Sequence, residues 1–440
     1  MTERIVASLP KLPTGREFEE LVGAVFQATG HFVERDLVER EKVEILQLDA
    51  IATDYEKHPP GIHLIEAKSG SWGFTDIFKI KGWMTHLNIA DASLVTCEER
   101  DRLDAYQRLA KKVGVALVRV DNGPNAANDL ATAFGLGTVA PEDVSTWRFC
   151  YWTERRLLER ITRHRRTEPD ARRFRAILDH AFEINSGVFF AETVAERVEA
   201  LYATYGTYRN LAARCALEMT GSSFDTEDAR IPDEVFRPTF YDCELNEVQA
   251  ASWLEHRARL TLLKAAVDYL SYKQDGDVSR AERTITWRIG GKTFKTPFSS
   301  FPARFEQALA EIEAEQHFRR YPVVWQWFLG AFGGFFLKDY EESEVQALAL
   351  RARIPPDVVP RALAAYDKLF PIEGGWIRDL PNSQIRIVLL YPVPFRGIGA
   401  NFRRALHATG EELRNLKVTG HHTMTDLVKW NNSVVQLLTS

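Results

Sequence analysis

The sequence predicts an α+β (or α/β) chain. An N-terminal domain built on a mixed sheet, with elements in the order αβββαβ, precedes a mostly α-helical C-terminal region. Three observations predict it. Strand-like apolar runs alternate with helix-period segments up to about residue 120. The stretch Asp121-Asn122-Gly123-Pro124-Asn125 then breaks the alternation with turn residues. Helix-like segments dominate from about Thr153 to Gln274.

The elements follow in chain order. Gly15 to Thr29 places Phe18, Leu21, Val22, Val25 and Phe26 at helical spacing, which predicts one apolar face, with Gly30 as the C′ residue. Strands are expected at His31–Val38, Val43–Thr53 and Gly61–Lys68, the last two joined by a turn that His58-Pro59-Pro60 enforces. A helix from Thr75 to about Ile89, a strand at Ala92–Thr96, a helix at Glu98–Lys112 and a strand at Val115–Val120 complete the domain. Beyond it, helices are expected at Thr193–Thr204, from about Asn246 to Tyr272, and at Phe301–Arg320, with a short hairpin at Thr284–Arg288 and Lys292–Thr296. The apolar stretch Val323–Leu337 is expected as a buried helix, because it is shorter than the ~20 residues a spanning helix needs. From Glu342 to Pro392, two helices and a hairpin suggest a winged-helix-like module. The expected domains are 1–124, 125–340 and 341–440.

Composition sets outer limits. A chain of 440 residues is expected to hold two or three domains, and 45% apolar with 27% charged residues is a globular balance. With 61 acidic against 56 basic residues the formal charge is −5, which excludes a wholly basic nucleic-acid coat but not a local basic site. Cys97, Cys150, Cys215 and Cys243 are scattered and form no CxxC pair, so a disulfide framework and structural zinc are not expected. No basic and then apolar leader is seen at the start, and the expected location is the cytoplasm, with no membrane partner.

The chemistry concentrates in the first domain. Asp49 interrupts the apolar run Leu46-Gln47-Leu48-Asp49-Ala50-Ile51-Ala52, and Glu66-Ala67-Lys68 ends the next strand. Side chains alternate along a strand, so Glu66 and Lys68 share a face, and a hairpin pairing sets Asp49 opposite Glu66. Two adjacent carboxylates repel unless a cation or a proton intervenes. Carboxylate oxygens and water suit Mg²⁺ or Mn²⁺. A hard cation, a water and a nearby ammonium are what phosphodiester hydrolysis needs.

These residues resemble the PD-(D/E)xK, or restriction-endonuclease-like, superfamily over roughly residues 14–120, in the branch of Mrr-type restriction enzymes and archaeal Holliday-junction resolvases. Gly15-Arg16-Glu17-Phe18-Glu19 is similar to the G-x-x-F/Y-E of that branch's first helix. The resemblance implies Asp49, Glu66 and Lys68 as catalytic residues and Glu19, Asp49 and Glu66 as metal ligands, with Glu20 a neighbour. Two departures stand out. Gln47-Leu48 precedes Asp49 in place of the nominal proline, and the helix after the motif carries Lys79, Lys81 and His86 but no glutamine.

Further nucleic-acid contacts are expected from Ser69 and Trp72 in the loop after the motif, with Trp72 stacking on a base or sugar, and from Lys79 and Lys81. Glu154–Arg175 holds nine arginines against four acids, among them Arg163, Arg165 and Arg166. The tail Phe395–Arg404 is also basic. The expected function is a metal-dependent endonuclease, on DNA before RNA, acting in bacterial restriction or anti-phage defence. It is expected as a homodimer or larger assembly, with an activating protein partner as a further expectation. Two alternatives accompany it: a nuclease subunit under a partner's control, such as the APAZ-bearing nucleases that accompany short Argonautes, and a non-catalytic DNA-binding protein on a degenerate nuclease fold.

Overall fold

The computed structural model describes residues 13–40, 44–148, 150–151, 154, 194–201, 247–276, 285–289, 292–296, 303–332, 335–337, 341–369, 377–379 and 385–388. The chain divides into two compact units after Tyr151.

The first unit begins with α1 (Gly15–Ala28). Thr14 caps it: its hydroxyl accepts from the Glu17 amide, and Glu17 Oε2 accepts from the Thr14 amide at 2.8 Å. At the other end Gly30 adopts φ 90°. The amides of Gly30 and His31 reach the carbonyls of Gln27 and Phe26, both at 3.1 Å, which closes the helix as a Schellman motif. The five apolar residues read from the periodicity are all buried. Each contributes about 1.5–3 kcal/mol relative to exposure.

A five-stranded sheet follows, in the spatial order β1 (Phe32–Arg40), β2 (Glu44–Asp54), β3 (Gly61–Lys68), β4 (Asp91–Thr96), β5 (Val115–Arg119). β1, β2 and β3 pair antiparallel, whereas β3, β4 and β5 run parallel. The parallel steps require crossovers, supplied by α2 (Phe74–Leu87) and α3 (Leu103–Val113). The sheet is therefore mixed, and the fold is α+β. β3 lies at its centre, and Leu64, Ile65, Glu66 and Ala67 are buried in succession, the pattern of a strand covered on both faces.

This unit extends beyond the break at 121–125. α4 (Ala126–Ala133) packs on α1, with Phe134 meeting the Phe26 ring at 5.1 Å. Residues 141–148 are helical. Tyr151 then donates its hydroxyl to Gln27 Oε1 and lies under the Arg35 guanidinium at 4.0 Å. The domain boundary expected at 124 thus falls later, because the segment that follows the turn residues carries apolar groups that cover α1.

The second unit contains α5 (Val194–Leu201), α6 (Glu247–Gln274), the antiparallel pair β6 (Ile285–Ile289) and β7 (Lys292–Thr296), α7 (Ala303–Glu313), α8 (Tyr321–Leu329), β8 (Phe335–Leu337), α9 (Glu341–Ala352), α10 (Val358–Leu369), β9 (Ile377–Asp379) and β10 (Ile385–Val388). The stretch read as one buried helix is split. All of α8 is buried, but the helix stops before Gly330, and residues 335–337 form a strand. Trp325 anchors α8 to α10, its indole N–H donating to the Ala362 carbonyl at 2.8 Å and its ring stacked on Tyr366 at 3.7 Å. β10 lies between β8 and β9, antiparallel to both. Among the described residues no helix is long and apolar enough to cross a membrane.

Candidate active site

The site forms where β2 and β3 part. Their register pairs Ala50 with Ile65. One step further, Asp49 Oδ2 accepts a hydrogen bond from the Ala67 amide at 2.8 Å, so a side chain takes over from the backbone ladder. Glu66 is 2% exposed. Its Oε1 lies 2.6 Å from Lys68 Nζ and 3.6 Å from Lys79 Nζ on α2. Its Oε2 is buried with no hydrogen-bond partner. Asp49, Glu66 and Lys68 are thus brought together at the end of the central strand.

α1 contributes the next layer. The Arg16 guanidinium lies 3.3 Å from Glu19 Oε2 and also binds Asp36, which interrupts β1 with a φ of 52°. Asp36 falls in the register gap facing Asp49, between the pairs Arg35 with Ala50 and Leu37 with Leu48. Arg16 and Asp36 were not expected in this neighbourhood from sequence. Asp36 carries no local signal of the kind at Asp49, because it follows Glu34-Arg35 in a strand already rich in charge.

Electrostatics follow from this crowding. Burial, reinforced by the charges of Glu66 and Glu19, pushes the Asp49 carboxyl up to about 7. Burial also raises Glu19, against the pull of Arg16. Burial opposes the charge on Lys68, but the hydrogen bond and charge of Glu66, with Asp49 and Asp76, outweigh it and raise its pKa. Lys68 is therefore a firm ammonium and stabilises negative charge; it is not poised to act as a base.

Among the described residues no group of three or more His, Cys, Asp or Glu side chains stands close enough to hold a metal ion. The three-carboxylate set of Glu19, Asp49 and Glu66 is not assembled, and Glu19 is turned to Arg16. Mg²⁺ is commonly held by one or two carboxylates with water and substrate phosphate. Asp49 and Glu66 fit that smaller demand, because Glu66 Oε2 is buried without a hydrogen-bond partner, and burial and the nearby carboxylate charges hold the Asp49 carboxyl above its ordinary range.

The remaining expected residues are dispersed. Trp72 is buried at 2% exposure, edge-on to Tyr106 at 5.1 Å and facing Arg100 at 4.9 Å. It supports the loop from beneath and is not presented to a nucleotide. Ser69 is half-buried beside Lys68, and Gly70 faces open space. Lys79 lies at the site and Lys81 on the exposed face of α2. Arg163, Arg165, Arg166 and the basic tail lie outside the described residues. No protein-family model, curated protein or solved structure matches this chain.

Proposed function

We propose that the chain is a metal-dependent endonuclease that hydrolyses phosphodiester bonds, with DNA as its principal substrate. The observation that carries the proposal is the convergence at the parting of β2 and β3. There Asp49 is locked to the Ala67 amide and Glu66 is buried with one oxygen unpartnered, while Lys68 remains cationic beside both. The mixed sheet and the spacing of Glu19, Asp49, Glu66 and Lys68 support the likeness to PD-(D/E)xK nucleases.

In this reading Asp49 and Glu66 hold Mg²⁺ or Mn²⁺. The cation, when bound, lowers the pKa of a water and neutralises phosphate charge. The chain's own residues do the rest. The Ala67 amide fixes Asp49 in one rotamer, so its free oxygen is preorganised. Lys68 places its ammonium where charge grows on the phosphate oxygens, an effect worth about 10²–10³ in rate when such a donor is removed. Arg16 draws the Glu19 carboxyl back towards its charged form against the burial that raises it, and so favours a negative field beside Asp49.

The order α8, β8, α9, α10, β9, β10, with β10 between its neighbours, supports a winged-helix reading of the end of the second unit. A structural role suits it better than groove reading. Arg361 of α10 is engaged by Glu315 at 3.1 Å and Asp357 at 2.9 Å, and Lys368 by Glu311 at 2.6 Å. Restriction or anti-phage defence remains the biological setting we infer, with a protein partner or self-association as the control.

The test is a panel of plasmid, linear duplex, single-stranded DNA and RNA, incubated with Mg²⁺, with Mn²⁺ or with chelator. Cutting that requires the metal supports the proposal. Cutting undiminished by chelator, or none on any substrate with either metal, contradicts a self-sufficient metal-dependent nuclease.

A further inference from the structure

Resting on the nuclease reading above, we propose that Lys79 is a second substrate-binding cation of the site, a phosphate anchor carried on α2 and steadied by Trp83. On α2, Ile77, Ile80 and Met84 are buried. Lys79 and Trp83 stand four residues apart on one flank, which is neighbour spacing on a helix. Lys79 Nζ lies 4.1 Å from the centroid of the Trp83 ring and 3.6 Å from Glu66 Oε1. An ordinary surface lysine extends into water. This one is held at the edge of a buried carboxylate by an aromatic face.

Its tether is loose where it needs to be. The Lys68 ammonium takes the same Glu66 oxygen at 2.6 Å, a full hydrogen bond, whereas Lys79 is an ångström further away and its side chain is 48% exposed. Lys68 is thus the more tightly held of the two cations, and Lys79 can turn to an incoming anion while Trp83 retains its stem. Lys81, two residues on, points to the exposed face and serves as the internal control.

The hydrolysis defines what Lys79 does. A water oxygen bonds to phosphorus, and the bond from phosphorus to the leaving sugar oxygen breaks. One water proton passes to solvent, and the leaving oxygen gains one from solvent. Lys79 keeps its protons throughout and supplies charge to a non-bridging oxygen of the scissile phosphate or its neighbour.

The experiment uses the full chain and a fluorescent DNA oligonucleotide, with binding measured by anisotropy across a salt series in chelator, where no cutting competes. Lys79→Ala, Lys79→Arg and Lys81→Ala are compared with wild type, and thermal melting of each is recorded. Lys79→Ala should weaken binding roughly tenfold and lower the slope of log affinity against log salt by about 1. Lys79→Arg should restore most of the affinity, and Lys81→Ala should change the slope less. A Lys79→Ala variant that binds with wild-type affinity and slope overturns the proposal, whatever its melting temperature, as does a chain that binds no nucleic acid. Lys79-dependent binding without cleavage under any metal upholds the anchor and rejects a self-sufficient nuclease. Metal-dependent cleavage with Lys79-independent binding does the reverse.

Discussion

Asp49 carries the sharpest pH dependence of the site. Its folded pKa of about 7 stands above the ordinary value of 3.8, because burial and the charges of Glu66 and Glu19 disfavour the carboxylate. A raised pKa means that protonation favours the fold. The contribution is complete below the unfolded pKa and is lost as pH rises through about 7. The metal-free chain should therefore melt a few degrees lower at about pH 8 than at about pH 5 from this group alone. Asp49→Asn should remove that difference, as read by thermal melting in chelator. Mn²⁺ binding should show the opposite trend, because a proton competes for the same oxygen. By calorimetry, affinity should fall by up to about tenfold per pH unit below about 7. At this scale the sequence was informative where chemistry is local to a strand. An acid in an apolar run marked Asp49, and an acid two residues before a lysine marked Glu66 and Lys68. It was silent where pairing is non-local. Arg16 meets Asp36 twenty residues away, and Trp72 is buried because Tyr106 and Arg100, from beyond β4, close over it.

Elements were read more faithfully than single contacts. α1 was legible because two signals agree, the apolar period and the terminal Gly30, and the structure adds the Thr14 to Glu17 capping box at its start. The strands were found by their apolar runs and turn residues, and the observed register, with Ala50 against Ile65, places Asp49 beside β3 as the hairpin predicted. The stretch 323–337 was misread as one helix because uniform hydrophobicity carries no period. A buried helix and a buried strand look alike in it, and only the glycines Gly330, Gly333 and Gly334 marked the change. The α1 cap has a measurable consequence, since this helix carries Glu19 and Arg16 toward the site. Thr14→Ala removes one capping hydrogen bond, which costs about 1 kcal/mol. The melting temperature should drop by roughly 2–4 °C. An unchanged melting curve would mean that the helix start contributes nothing to the unit.

At the scale of the molecule, the chain forms two compact units. The first, ending at Tyr151, holds every candidate catalytic group, and its closing segment was missed as part of it because turn residues at 121–125 look like a linker. What decides the matter is packing: α4 and Tyr151 cover α1, and no composition shift announces that. The formal charge of −5 is likewise uninformative as a sum. Its acids include Asp49 and Glu66, which a cation would neutralise in the proposed nuclease, while Lys68 and Lys79 place positive charge at the same point. The measurement that goes straight to this centre is single-turnover cleavage of labelled DNA in Mg²⁺ by the wild-type chain beside Lys68→Ala. The expected result is metal-dependent cutting by wild type and a rate lower by about 10²–10³ in the variant, with its fold intact by circular dichroism. Equal rates for the two proteins would contradict a hydrolytic centre built on Asp49, Glu66 and Lys68.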